Sequence, residues 1–155
     1  MSGKMSSKKR FEVEEAGIKV SSKSEVIVAQ KLYYNGYRFS YDKKYPYKDV
    51  DQQFRYDFMI LNASDVDEEH INTVHHLFIE VKDDGKEYLQ ALQEKRNMVN
   101  DHDDVLLVVT DKEMGLFLER LKEATELLSL KADYKRLKYE NSNLKKLLKK
   151  NGIKY

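Results

Sequence analysis

Residues 75–82 read HHLFIEVK, and they decide the fold because one short run holds two different requirements. Leu77, Ile79 and Val81 recur at the period of two that a pleated strand imposes, so one face of the run is built for burial. Glu80 and Lys82, also two apart, share the opposite face and carry opposite charges. A charge on a buried strand is costly unless it is paired. The plain structural explanation is a salt bridge at the rim of a sheet. Glu-x-Lys arises often by chance in a chain whose residues are 35% charged, so a functional explanation needs support from elsewhere in the chain.

That support begins with the order of elements. Upstream, QFRYDFMIL (53–61) alternates in the same way, with Phe54, Tyr56, Phe58 and Ile60 expected on one face and Arg55, Asp57 and Met59 on the other. The polar NASDVDEEHIN (62–72) reads as the connection of a hairpin, and TVHHLFIEVK (73–82) as its second strand, burying Val74, Leu77, Ile79 and Val81. YRFSYDKKY (37–45) is a further strand, stopped by Pro46. SSKSEVIVAQKLYYNG (21–36) has serines to start a helix, Asn35-Gly36 to end it, and Val26, Ala29, Leu32 and Tyr33 as its apolar stripe. Downstream, KEYLQALQEKRNMVNDHDD (86–104) is a second helix carrying Tyr88, Leu89, Leu92, Arg96 and Val99. VLLVVT (105–110) is a continuously apolar strand of the kind covered on both faces. The three consecutive strands are expected to be antiparallel neighbours. The order α-β-β-β-α-β-α predicts an α/β fold, a mixed sheet with helices on its faces.

At 155 residues the chain suits one domain and an extension. We expect residues 1–20 to be a loose basic lead-in with a short strand at 11–13, residues 21–115 to be the domain, and residues 116–155 to be a long helix. The helix, begun near Lys112, has Leu127, Leu130, Tyr134, Leu137, Asn141, Leu144 and Leu148 spaced alternately by three and four residues, the a/d seam of a left-handed coiled coil. Leucines take the d positions and Asn141 an a position, where an amide pairs with its copy and favours parallel dimers. A homodimer through Leu130, Tyr134, Leu137, Asn141, Leu144 and Leu148 is therefore expected; the alternative is that the stripe packs on its own domain.

The net charge of +1 conceals a segregation: the ends are basic and the middle, with DVDEE and DHDD, is acidic. No apolar run approaches the about 20 residues that span a bilayer, and no apolar segment follows the polar N-terminus as a signal peptide requires. We expect an intracellular protein without a membrane span, cytoplasmic if prokaryotic or viral. With no cysteine, thiolate metal sites and cysteine nucleophiles are excluded, so any metal binds through oxygen or imidazole. His75 and His76, adjacent on a strand, are expected to point to opposite faces and not to chelate one ion. DVDEEH lacks the glycine and terminal glutamate of a calcium loop. Phosphate-binding, dinucleotide-binding and serine-hydrolase glycine motifs are all missing. The eleven tyrosines could stack on bases, although such residues more often fill the core of a small sheet.

Glu25 on the first helix, Asp57 in RYDFMI and Glu80-x-Lys82 in FIEVK, taken in this order, resemble the PD-(D/E)xK nucleases, the restriction-endonuclease-like superfamily, over residues 21–110. SKSEVIVAQKLYYNGYRFSYDKKYP is similar to small nucleases of the transposon-end-cleaving and very-short-patch-repair kinds. One departure is plain: Tyr56 stands where the family's name has proline. The resemblance implies a restriction-endonuclease-like α-β-β-β-α-β core with Asp57 and Glu80 as metal-holding carboxylates, the Val81 carbonyl as a further ligand, and Lys82 orienting the attacking water. Glu25 either completes the metal shell or serves only in a Ser22-x-x-Glu25 capping box. Gln93, Lys95 and Arg96, with Gln90, would present polar groups to DNA, or are ordinary solvated helix residues. The cofactor implied is Mg2+, with Mn2+ able to substitute, because hard cations take oxygen ligands. The expected function is a metal-dependent DNA endonuclease; the alternative is a noncatalytic adaptor of the same fold that recruits a partner through its coil.

Overall fold

The computed structural model describes residues 10–61, 75–82 and 89–152. Its elements in chain order are β1 (Phe11–Val13), β2 (Ile18–Val20), α1 (Lys23–Tyr34), β3 (Phe39–Lys44), β4 (Arg55–Ile60), β5 (Leu77–Lys82), α2 (Leu89–Asp101), β6 (Val105–Thr110) and α3 (Phe117–Lys150). The four strands β3-β4-β5-β6 lie side by side in that order, antiparallel except for the parallel pair β5 and β6. The architecture is thus α/β with a mixed four-stranded sheet and a long C-terminal helix, as the element order predicts. The hairpin connection expected at 62–72, the strand's first residues Thr73 and Val74, and Tyr88 lie outside the described residues.

Both faces of the sheet are covered, and the sequence shows why. Along β6, Val105, Leu107 and Val109 join one apolar cluster while Leu106 and Val108 join the other, which is what a continuously apolar strand is for. The larger cluster sets Phe58, Ile60, Leu77 and Ile79 against Val28, Ala29 and Leu32 of α1 and Phe117, Leu121, Ala124 and Leu128 of α3. The smaller sets Phe78 and Tyr56 against Tyr45, Tyr47 and Met98 and Val99 of α2. Among the described residues no helix is long and apolar enough to cross a membrane.

Several expectations are corrected. Residues 10–20 are not wholly a loose lead-in: β1 and β2 form an antiparallel hairpin whose Val13 and Val20 are buried in the main core. Gly17, at φ 67°, supplies the left-handed residue that the connection requires. On α1 the buried stripe is Val28, Ala29 and Leu32, while Tyr33 is exposed. On α2 Arg96 is exposed and the buried pair is Met98 and Val99. The last helix is preceded by a 3₁₀ segment, Asp111–Leu116, so it begins at Phe117 and not near Lys112.

The most consequential correction is in β4. Tyr56 packs with Phe54 in the smaller cluster, whereas Phe58 and Ile60 pack in the larger one on the opposite face. The alternation therefore changes phase across Asp57, while the register with β3 is the same on either side of it; at that level β3 carries Asp42, whose φ of 51° breaks the regular pleat. Pairing of β4 with β5 accordingly starts at Phe58↔Ile79. The Val81 N–H donates instead to Asp57 Oδ2 at 2.7 Å, a side chain standing in for the neighbouring strand's carbonyl.

Candidate functional site

Asp57 at the start of β4 and Glu80 near the end of β5 meet because these strands are antiparallel. Glu25 approaches the same place from the first turn of α1, whose start is fixed by Ser22 accepting the Glu25 N–H at 3.1 Å. Asp57 and Glu80 are thus brought together, and Glu25 lies near enough for its charge to bear on Asp57. Burial raises the Asp57 pKa first, the Glu80 carboxylate adds to it, the Val81 N–H opposes it and Glu25 adds again; the outcome is about 8. Burial and the neighbouring carboxylate thus favour the protonated form of Asp57.

The two glutamates also have hydroxyl partners. Glu25, buried, accepts from Ser21 Oγ at 2.8 Å, from Ser22 Oγ at 3.1 Å and from the Tyr41 hydroxyl. Burial and that bond to Glu25 push the Tyr41 pKa up to about 12, so its hydroxyl remains a donor. Glu80, buried, accepts on Oε1 from the Tyr45 hydroxyl at 2.9 Å and from Lys95 Nζ at 3.0 Å. Lys95 donates as well to the Arg55 carbonyl at 3.0 Å, which ties α2 to the start of β4. Burial, followed by the charge of Glu80, raises the Tyr45 pKa far above its ordinary value.

The expected basic residues divide. Lys82 is partly buried at the end of β5 and makes no hydrogen bond or ion pair among the described residues. Lys95, expected to face DNA, is instead the partner of Glu80. Gln93 is exposed and donates to Asn97 on its own helix at 2.9 Å, and Arg96 is exposed. Reading from sequence missed Tyr41 and Tyr45, which look like any core tyrosines of an aromatic-rich sheet. It also missed the Glu80 role of Lys95, since nothing local marks one helical lysine among several.

The histidines behave differently from expectation. His75 and His76 precede β5 and lie outside its pleat, so both turn toward Asp104, at 4.0 and 3.3 Å. Asp104 is 2% exposed and also takes the His76 N–H at 2.7 Å and the Tyr47 hydroxyl. This second polar cluster joins the start of β6 to the Tyr47 segment.

Among the described residues no group of three or more histidine or acidic side chains is arranged to hold a metal ion. What the site offers a cation is the pair Asp57 and Glu80, two hard-oxygen donors, half-buried and buried, of which Asp57 has its pKa raised by burial and by the Glu80 charge. Magnesium is commonly held by one or two carboxylates, with water and substrate phosphate completing the shell, so the pair fits such an ion. Compared with protein-family models, curated proteins and solved structures, the chain matches none, and the functional reading therefore rests on this geometry.

Proposed function

We propose that the chain is a metal-dependent endonuclease acting on DNA, with a restriction-endonuclease-like core. The observation that carries the reading is the meeting of half-buried Asp57 with buried Glu80 between β4 and β5, where burial first and the Glu80 charge second raise the Asp57 pKa. The antiparallel β3-β4-β5 order with a parallel β6, preceded by α1 and interrupted by α2, supports the same reading.

Asp57 and Glu80 would hold Mg2+ or Mn2+, with the Val81 carbonyl and Glu25 as further oxygens. Such an ion supplies polarisation of a phosphoryl oxygen and acidification of water. The protein's own contribution is orientation and charge. Tyr45 and Lys95 both bind Glu80 Oε1, fixing the rotamer of that carboxylate, while the Val81 N–H fixes Asp57. Lys82, two residues beyond Glu80, offers an ammonium to orient the attacking water and to stabilise charge developing on phosphate. Tyr41 and the two serines hold Glu25 toward the site. The lysines of the N-terminus and of α3 add nonspecific attraction for the DNA backbone, so binding should weaken steeply with salt.

One observation favours the noncatalytic alternative: Glu80 already has a cationic partner in Lys95. The two readings separate in one experiment. Supercoiled plasmid and branched DNA are incubated with Mg2+ or Mn2+ and either the native protein or a Glu80→Ala, Lys82→Ala variant that retains its circular dichroism. Cleavage by the native protein and none by the variant is expected. Cleavage by neither, with both metals, would sink the nuclease reading in favour of the adaptor.

A further inference from the structure

The helix α3 carries two distinct stripes. Phe117, Leu121, Ala124 and Leu128 are buried against the sheet and α1. Continued at the same spacing, that face becomes Lys131, Lys135, Lys138, Ser142, Lys145 and Lys149, so it ceases to be apolar where the domain ends. Lys131 and Lys135 mark the boundary: one donates to the Asp104 carbonyl at 3.1 Å, the other lies 3.8 Å from Asp103. The second stripe starts at Leu127 and is turned by about 100° from the first, the angle of one residue. Its members stay in solvent: Leu130 is 65% exposed, Tyr134 69%, Leu137 57% and Leu144 54%, on helix that continues to Lys150. These residues therefore do not pack on their own domain, which was the alternative to the expected dimer.

The charges beside the seam say what covers it. With Leu127, Tyr134, Asn141 and Leu148 at a and Leu130, Leu137 and Leu144 at d, the g positions are Glu126, Asp133 and Glu140, and the e positions are Lys131, Lys138 and Lys145. In a parallel two-stranded coil each g residue faces the e residue five further along on the other strand. The facing pairs are then Asp133 with Lys138 and Glu140 with Lys145, each occurring twice, while Lys131, opposite Glu126, is already held by the Asp104 carbonyl of its own domain. Every pair joins an acid to a lysine. Asp133 and Glu140 are also the only acids from residue 131 onward, and both fall at g. An antiparallel partner would set g against g and e against e, acid on acid and lysine on lysine.

We propose that the occupant of this seam is a second copy of the same chain, parallel and in register, selected by the acid-to-lysine g–e pattern and by Asn141 paired with its copy. The dimer stands whichever reaction the Asp57–Glu80 site performs. Because both strands leave their domains at the same end, a parallel coil holds the two domains side by side, which an antiparallel one does not.

The test uses the full chain. Light scattering across a concentration series should show twice the chain mass, and a mass of one chain up to about 100 µM, ample for most specific pairs, would overturn the proposal. Asp133→Lys, Glu140→Lys and, separately, Lys138→Glu, Lys145→Glu should each raise the dissociation constant about tenfold or more, and mixing the two variants should restore a mixed dimer. No change in either variant would overturn the charge assignment. Orientation is read by cysteines in this cysteine-free chain. Leu137→Cys and Asn141→Cys should each form a disulfide with its own kind on oxidation, since a parallel coil sets identical core positions against each other, whereas an antiparallel coil sets d against a. Disulfides that form only when the two variants are mixed would show an antiparallel coil and overturn the proposal.

Discussion

Replacing Asp57 by asparagine should make the metal-free protein more stable at pH 8 while abolishing any cleavage. The folded-state pKa of Asp57 lies at about 8, against an ordinary 3.8, because burial and the Glu80 charge both disfavour its anion. Between those values the folded chain binds a proton that the unfolded chain does not, so stability is fullest near pH 4 and falls as pH rises through the window. One pKa unit corresponds to about 1.4 kcal/mol, so a shift of this size sets an upper bound of about 6 kcal/mol, shared with Glu80. Asparagine removes the titration but accepts the Val81 N–H as a neutral oxygen, at a cost of about 1 kcal/mol. Allowing for relaxation around the pair, we expect a net gain of about 2 kcal/mol at pH 8, or about 4–8 °C in Tm for a chain of this size. At pH 5, where Asp57 is already neutral, the variant should equal the native protein or fall slightly below it. The assay is thermal unfolding in chelator at both pH values, repeated with Mg2+ at pH 8. Added Mg2+ should stabilise the native protein and leave the variant unmoved, since an ion that binds only the folded state adds to stability in proportion to its affinity. A variant whose difference from the native protein is the same at pH 5 and pH 8 would refute the reasoning. It would mean that Asp57 is not held against its ordinary titration by its neighbours.

The two site lysines should separate in the same way by stability and by activity. Lys95→Met strands the buried Glu80 carboxylate and should cost about 2–4 kcal/mol in urea unfolding, whereas Lys82→Met, which removes no hydrogen bond or ion pair among the described residues, should stay within about 0.5 kcal/mol yet reduce cleavage. Equal losses of stability would contradict the assignment of Lys95 to Glu80. Tyr47→Phe deletes the buried hydroxyl that donates to Asp104 and should cost about 1–3 kcal/mol, measured by chemical denaturation; a neutral result would mean that the His76 N–H suffices for Asp104. His102 has one ring nitrogen 2.7 Å from the Met98 carbonyl and the other 2.9 Å from Asp49. Burial lowers its pKa, but the Met98 carbonyl and Asp49 outweigh burial and leave it raised. The stabilisation is therefore complete below the ordinary histidine value and is lost as pH rises through the folded one. His102→Gln should lose about 1 kcal/mol at pH 5.5 and less at pH 8.5, and a loss independent of pH would count against the ionised form.

What could be read from the sequence was what repeats locally. The strands of FIEVK and VLLVVT follow from alternation and from an unbroken apolar run, because a covered sheet leaves no other way to bury those side chains. The hairpin of β1 and β2 escaped because three-residue strands are shorter than any period can establish, and it is the burial of Val13 and Val20 in the main core that makes them a hairpin. The site shows the same division. Asp57, Glu80 and Glu25 could be named because their elements could be named, and antiparallel pairing then brings the two strand acids together. The phase change at Asp57 could not, since it depends on an aspartate replacing a backbone acceptor for Val81 across the sheet, and alternation alone places Tyr56 with Phe58. Nor could the exchange of lysines: Lys82 is adjacent in sequence to the Glu80 face, but Lys95 reaches Glu80 only through the rotation of α2, which Met98 and Val99 set by being buried. Where a side chain does a backbone's work, or a helix's packing aims a charge, local pattern fails, and here both happen within one bond of the same two carboxylates. The fold departs from regularity where it brings two carboxyl groups together.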